Sequence, residues 1–137
     1  MKIALCLSGQ LRSVEAGFEY IYKNLLSKHK VDVFLNFWKT TKPGLEEKAV
    51  ELYKPILYSC QEEYPDTYFQ RFTQGGGQHW PSRNPYHSFY SVLYCNLLKK
   101  EEELNSGSDY DFIVRTRFDY ALNVELFFDR MQNNCLY

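Results

Sequence analysis

Neither sign of charge dominates this chain of 137 residues, in which 16 Lys and Arg face 17 Asp and Glu for a net charge of −1. No global field therefore draws it to nucleic acid or to an anionic membrane. Cysteine is sparse and scattered: Cys6, Cys60, Cys95 and Cys135 form no C-x-x-C pair, and only three histidines accompany them. That spacing argues against a zinc site of the usual ligand pattern. Long apolar runs are missing as well. The longest near the start, Ile3 to Leu7, spans five residues, short of the roughly 7–15 of a secretion signal and the roughly 18 of a membrane span. Residue-level motifs are equally absent: no G-x-x-x-x-G-K-[ST] phosphate loop, no G-x-G-x-x-G and no G-x-S-x-G elbow. These absences point to a soluble, cytoplasmic protein with reduced thiols, no membrane span and no nucleic-acid partner.

Aromatic residues, by contrast, are abundant. Twelve Tyr, ten Phe and two Trp make 18% of the chain. Rings of this kind fill small cores, and tyrosine also stacks on bases and sugars while offering a hydroxyl. Apolar residues at 45% and charged residues at 24% describe an ordinary globular domain, and the length suits a single one, residues 1–137.

The order of elements follows from periodicity. Ile3-Ala4-Leu5-Cys6-Leu7 is a continuous apolar run, the pattern of a strand buried on both faces. Ser8-Gly9-Gln10-Leu11-Arg12 makes a turn, and Ser13 is placed to cap a helix from Val14 whose buried stripe is Phe18, Ile21, Tyr22, Leu25 and Leu26. A second strand covers Val31 to Trp38, a short helix Gly44 to Tyr53, and a third strand Ile56 to Cys60. Residues 61–83 break the rhythm and carry a glycine triplet at 75–77, a candidate lid. Asn84 and Pro85 then read as the start of a long helix to about Leu104, with Phe89, Val92, Leu93, Leu97 and Leu104 as its apolar stripe, Lys99 to Glu103 as a solvated face and Gly107 as its stop. A fourth strand runs from Tyr110 to Asp119. This order predicts an α/β, Rossmann-like three-layer domain with a mostly parallel sheet of about four strands, whose ligand crevice lies at the carboxyl ends of the strands.

Two segments meet at that edge. In Arg115-Thr116-Arg117-Phe118-Asp119, strand alternation puts Arg115, Arg117 and Asp119 on one face. Two guanidiniums side by side call for an anion, and their planar fork suits phosphate. Asp119 either neutralises one of them or holds a divalent cation shared with a diphosphate. The plainer alternative is an Arg-Asp pair with no ligand. In Ser8-Gly9-Gln10-Leu11-Arg12, glycine lets the backbone approach a ligand and the following helix start offers free N–H groups to an anion; an ordinary strand-to-helix turn reads the same way. Weaker candidates are Asn36 and Trp38 at the end of the second strand, and His79, Arg83, Asn84, His87, Ser88, Tyr90 and Ser91 about the start of the long helix, where His87 reads as a partly exposed helix residue rather than a base. No nucleophile–base pair can be assembled from spacing.

Lys2 to Arg12, Val31 to Trp38, Ser88-Phe89-Tyr90-Ser91 and Tyr110 to Asp119 together resemble a group of glycosyltransferase-like proteins of bacteria, large DNA viruses and phages, over about residues 2–120. The resemblance implies a GT-A-like fold, a nucleotide-sugar donor, a glycan or protein acceptor and a Mn²⁺ or Mg²⁺ cofactor. It carries Ser8, Gly9 and Arg12 over as nucleotide contacts and Asp119 as the metal ligand, at the place of the family's D-x-D motif. Two departures qualify it. Arg117 replaces the first acidic residue of that motif, which favours a metal-independent site. The chain also ends at Tyr137, short of a usual GT-A enzyme, as a minimal enzyme, a fragment such as the N-terminal half of a longer GT-A fold, or a binding remnant would. A non-catalytic nucleotide- or protein-binding module with a structural Arg-Asp pair is the alternative.

Overall fold

The computed structural model describes residues 1–62, 64 and 84–132, with side chains from residue 87 onward in the last span. Four strands form one sheet: β1 (Ile3–Gly9), β2 (Val31–Trp38), β3 (Leu57–Gln61) and β4 (Phe112–Thr116), in the order β3-β2-β1-β4. Every neighbouring pair is parallel. The Ile3–Leu7 run is buried because β1 is central, hydrogen-bonded to β2 with Ile3 opposite Val31 and to β4 with Ile3 opposite Phe112. The chain steps outward from β1 to β3 and returns to the other side of β1 as β4. That reversal puts a topological switch point between the carboxyl ends of β1 and β4.

Helices cover both faces. α1 (Val14–Ile21), which continues as a π-helical turn over Tyr22–Leu26, and α2 (Leu45–Tyr53) lie on one. They bury Val14, Ile21, Leu25, Ala49 and Tyr53 against Leu5, Leu7, Val33, Leu35 and Phe37, the inward positions of β1 and β2. Tyr22, expected in the buried stripe, is instead exposed, because the π turn rotates it off the core side. Ser13 precedes α1 as expected but has φ +48°, and its side chain makes no capping bond. After β4 the chain returns across this face, where Phe118 and Phe128 are buried with Leu122, Leu126 and Met131 packed around them.

The other face carries α3 (Asn84–Ser106), closed by Gly107 at φ +65°. Here the structure corrects the expected polarity. Lys99 and Glu103, read as a solvated face, are each only 7% exposed, whereas Phe89, Leu93, Leu97 and Leu104 of the apolar stripe face outward. The sheet beneath is the reason. On this side β1 and β2 present Ala4, Cys6, Ser8 and Asn36, small or polar residues, around the single large ring of Phe34. Ser91 and Cys95 fit against it closely: Ser91 Oγ donates to Asn36 Oδ1 at 2.7 Å, and the Cys95 thiol donates to the Phe34 carbonyl at 3.4 Å. Lys99 and Glu103 are tolerated because they pair at 2.5 Å, which removes the penalty of burying either alone. Burial pushes the Glu103 carboxyl up, but hydrogen bonds from Lys99, Lys100 and the Tyr110 N–H outweigh it and hold the group below the usual carboxylate range.

β4 is shorter than the Tyr110–Asp119 strand expected. It ends at Thr116, and Phe118 and Asp119 lie in a turn.

Candidate functional site

The crevice at the strand ends is a cavity of about 240 Å³ lined by Ser8, Gly9, Gln10, Arg12, Trp38, His87, Ser88, Val92 and Arg117. Four pieces of chain build it: the end of β1 and its turn, the end of β2, the first turns of α3 and the residue after β4. Gly9 closes β1 with φ +116°, a conformation that a side chain would strain. The backbone there can turn sharply out of the strand. Trp38 is itself buried and packs edge-on against His87, with ring centroids 5.0 Å apart and planes at 88°. His87 is buried rather than partly exposed, since the α3 face that carries it is the one turned to the sheet.

A second hollow of about 580 Å³ adjoins the first and shares Gln10, Arg12 and Trp38 with it. Lys39, Thr40, Thr41 and Lys42 after β2 complete its wall, with Glu62 opposite. Lys39 is paired to Glu62 at 3.0 Å, which raises the lysine's pKa. Together the two hollows are of the scale of small-molecule sites, about 300–1,000 Å³. Arg12 and Arg117 line the inner one, and no carboxylate lines it among the described residues.

Eight of the residues expected at the site thus come together: Ser8, Gly9, Gln10, Arg12, Trp38, His87, Ser88 and Arg117. Among the other described candidates, Asn36, Tyr90, Ser91, Arg115 and Asp119 do not line it. Asn36 is fully buried beneath the crevice, where its side-chain amide donates to Ser59 Oγ at 2.7 Å and its carbonyl accepts from Ser91. It ties β2 to β3 and α3, so it positions Trp38 and the helix rather than touching a ligand. Arg115 lies opposite Cys6 in register and lines a different groove, about 490 Å³ and mostly apolar, beside β4. Asp119 closes a bidentate pair with Arg117, Nε–Oδ1 at 2.9 Å and Nη2–Oδ2 at 2.7 Å. The expected single face of Arg115, Arg117 and Asp119 is broken because the strand stops before Arg117. Among the described residues no cluster of three His, Cys, Asp or Glu side chains is arranged to hold a metal. Asp119, the candidate metal ligand, has both oxygens engaged and does not fit a cation as it stands.

Sequence reading missed Val92 and the Lys39–Lys42 segment. The latter follows the carboxyl end of β2, so the strand-end rule that singled out Trp38 reaches it too. The glycine triplet at 75–77, His79, Arg83 and the Asn84 cap fall outside the residues or side chains described.

The class defined is an α/β domain with an all-parallel four-stranded sheet and a polar, cationic crevice at its switch point. No helix among the described residues is long and apolar enough to cross a membrane. Comparison with protein-family models, curated proteins and solved structures gives no match.

Proposed function

We propose that the crevice binds the diphosphate of a nucleotide-sugar and that the chain is the donor-binding core of a glycosyltransferase. One observation carries the reading: Ser8, Gly9, Arg12 and Arg117, from two segments more than a hundred residues apart, line one cavity at the switch point of a parallel sheet. Parallel sheets of this type bind ligands there, and Arg12 and Arg117 supply the charge that a diphosphate requires. In glycosyl transfer the bond from the anomeric carbon to the diphosphate breaks, and negative charge grows on the departing oxygen. Two arginines at the cavity wall stabilise that charge more than they stabilise the intact donor. Ser8 and Ser88 offer hydroxyls, and Trp38 and His87 offer ring edges, to the rest of the donor.

A divalent cation, Mn²⁺ or Mg²⁺, would be held by Asp119 only after the ligand's phosphates had drawn Arg117 away from it. A metal-independent site, with arginines neutralising the diphosphate, suits the resting geometry better. The closed Arg117–Asp119 pair also favours a second reading, a non-catalytic nucleotide- or protein-binding module in which that pair is structural.

Thermal melting with nucleoside diphosphates and nucleotide-sugars tests the proposal. A ligand at about 100 times its Kd adds roughly 2.7 kcal/mol, and each kcal/mol raises the melting point of a domain this size by about 3–5 °C. The expected rise is therefore roughly 8–13 °C. Arg12→Ala and Arg117→Ala should each weaken binding by about 1.5–3 kcal/mol, the range for charged hydrogen bonds. A flat response to every nucleotide at millimolar concentration refutes the donor site. Binding without any donor hydrolysis or transfer selects the non-catalytic module.

A further inference from the structure

Beneath α3, Ala4, Cys6 and Phe34 of the sheet and Cys95 of the helix form a buried cluster of their own. Cys6 lies between Phe34 on β2 and Arg115 on β4 in the sheet register. Cys95 Sγ stands 3.4 Å from the carbonyl oxygen of Phe34 and 3.5 Å from that of Leu7, the residue after Cys6. Those contacts bring the two thiols together, and they are hydrogen-bonded to one another. A buried cysteine alone behaves as a small inert hydrophobe, whereas two in contact can be joined by removing two hydrogens. In a reducing compartment such bonds are transient and serve catalysis or redox sensing.

Their surroundings make the two thiols unequal. The hydrogen bond from Cys95 is the main influence holding the Cys6 thiol below its usual range; burial and Glu103 oppose it, while the charges of Arg115 and Lys99 add to it. The same hydrogen bond, and then burial, push the Cys95 thiol up. Cys6 is thus the attacking thiolate and Cys95 the protonated thiol that resolves it. Burial keeps bulky oxidants away from both sulfurs and leaves small hydroperoxides as the oxidants that suit the site. The pair also sits beside the crevice: Ser8, two residues past Cys6, and Val92, one helical turn before Cys95, both line it. A bond between the sulfurs joins those two walls.

We propose that Cys6 and Cys95 form a reversible disulfide, made by a hydroperoxide and undone by a dithiol, that fastens α3 to β1 beside the crevice. The Cys6 thiolate attacks the peroxide, the O–O bond breaks, and a Cys6 sulfenic acid forms while the departing oxygen takes up the proton that Cys6 released. The Cys95 sulfur then attacks the Cys6 sulfur, the S–O bond breaks, and water leaves with the Cys95 proton. Each sulfur gives up one electron, and the peroxide accepts both. The test uses the whole chain carrying Cys60→Ser and Cys135→Ser, in which Cys6 and Cys95 are the remaining thiols. After hydrogen peroxide, then alkylation with N-ethylmaleimide in denaturant, intact mass should show a monomer lighter by two hydrogens that takes up no label. Its melting point should rise by roughly 6–20 °C, the effect of a disulfide closing a long loop, and dithiothreitol should reverse both changes. Cys95→Ser in the same background should stop at a Cys6 sulfenic acid that dimedone traps; should that variant not fold, the mass of the two-cysteine chain decides alone. Thiols that stay free under peroxide sufficient to oxidise the exposed Cys60 of the parent chain overturn the proposal. So do oxidation to sulfinic acids without a disulfide, a bond between chains rather than within one, or a disulfide that leaves the melting point unchanged. A folded Cys95→Ser chain that dimedone does not label removes Cys6 as the attacking thiol.

Discussion

Gly17 sits in the middle of α1, where a glycine costs about 1 kcal/mol against alanine in helix propensity. Propensity alone predicts that Gly17→Ala stabilises the protein by that amount, raising the melting point by about 3–5 °C. The packing predicts the reverse. A Cβ at this position would lie 1.9 Å from the carbonyl oxygen of Phe118 and 3.1 Å from its carbonyl carbon. Neither atom belongs to a flexible side chain. Both are backbone of the turn that follows β4, locked by the fully buried Phe118 ring. The turn or the helix must move by more than an ångström, and overpacking of this kind costs about 1–3 kcal/mol and occasionally more. Packing wins: the upper end of that range less the propensity gain of about 1 kcal/mol leaves about 2 kcal/mol, a fall in melting point of roughly 6–10 °C. Ala16→Gly, at an exposed neighbour in the same helix, is the propensity control and should cost only about 1 kcal/mol. The displaced turn carries Arg117 and Asp119, so Gly17→Ala should also weaken nucleotide binding although it lies outside the crevice. A variant as stable as the parent, or more so, refutes the close approach of α1 to this turn.

Three further outcomes follow from the same geometry. Glu103 has its pKa depressed in the folded state, so its contribution to stability is present above the unfolded value near 4.3 and is lost as pH falls through the lower folded value; melting points recorded from pH 7 to pH 2 should show that acid loss in the parent and much less of it in Glu103→Gln. Asn36→Ala removes the side-chain partner of Ser59 and Ser91 and should cost about 1–3 kcal/mol in urea unfolding, and an unchanged midpoint would remove Asn36 from its positioning role. Calorimetric titration of Mn²⁺ should give weak or no heat with the protein alone, binding with a nucleoside diphosphate present, and loss of that binding in Asp119→Asn; tight binding to the protein alone would contradict an Asp119 already engaged by Arg117.

Much of the architecture was legible in the chain. Strands buried on both faces carry unbroken apolar runs, so Ile3–Leu7 and Val31–Trp38 declared themselves, and alternation with helical segments implied a parallel sheet. The crevice was legible for the same reason: once the sheet is parallel, residues just beyond strand ends converge, whatever their distance in sequence. Ser8, Gly9, Arg12, Trp38 and Arg117 are of this kind. Strand alternation failed beyond Thr116 because it holds only while the chain stays extended, and the chain turns at Phe118 to bury that ring.

The facing of α3 was decided by the tertiary structure alone. Its sequence offers two faces, one of leucines and one of Ser91, Cys95, Lys99 and Glu103, and the hydrophobic rule by itself selects the leucines. The choice depends on the surface the helix meets. Ala4, Cys6, Ser8 and Asn36 come from strands more than fifty residues earlier in the chain, and they present little bulk and several polar atoms. Small residues allow the close approach that such a surface requires, and the Lys99–Glu103 pair is self-neutralising, so the polar face docks and the leucines turn outward.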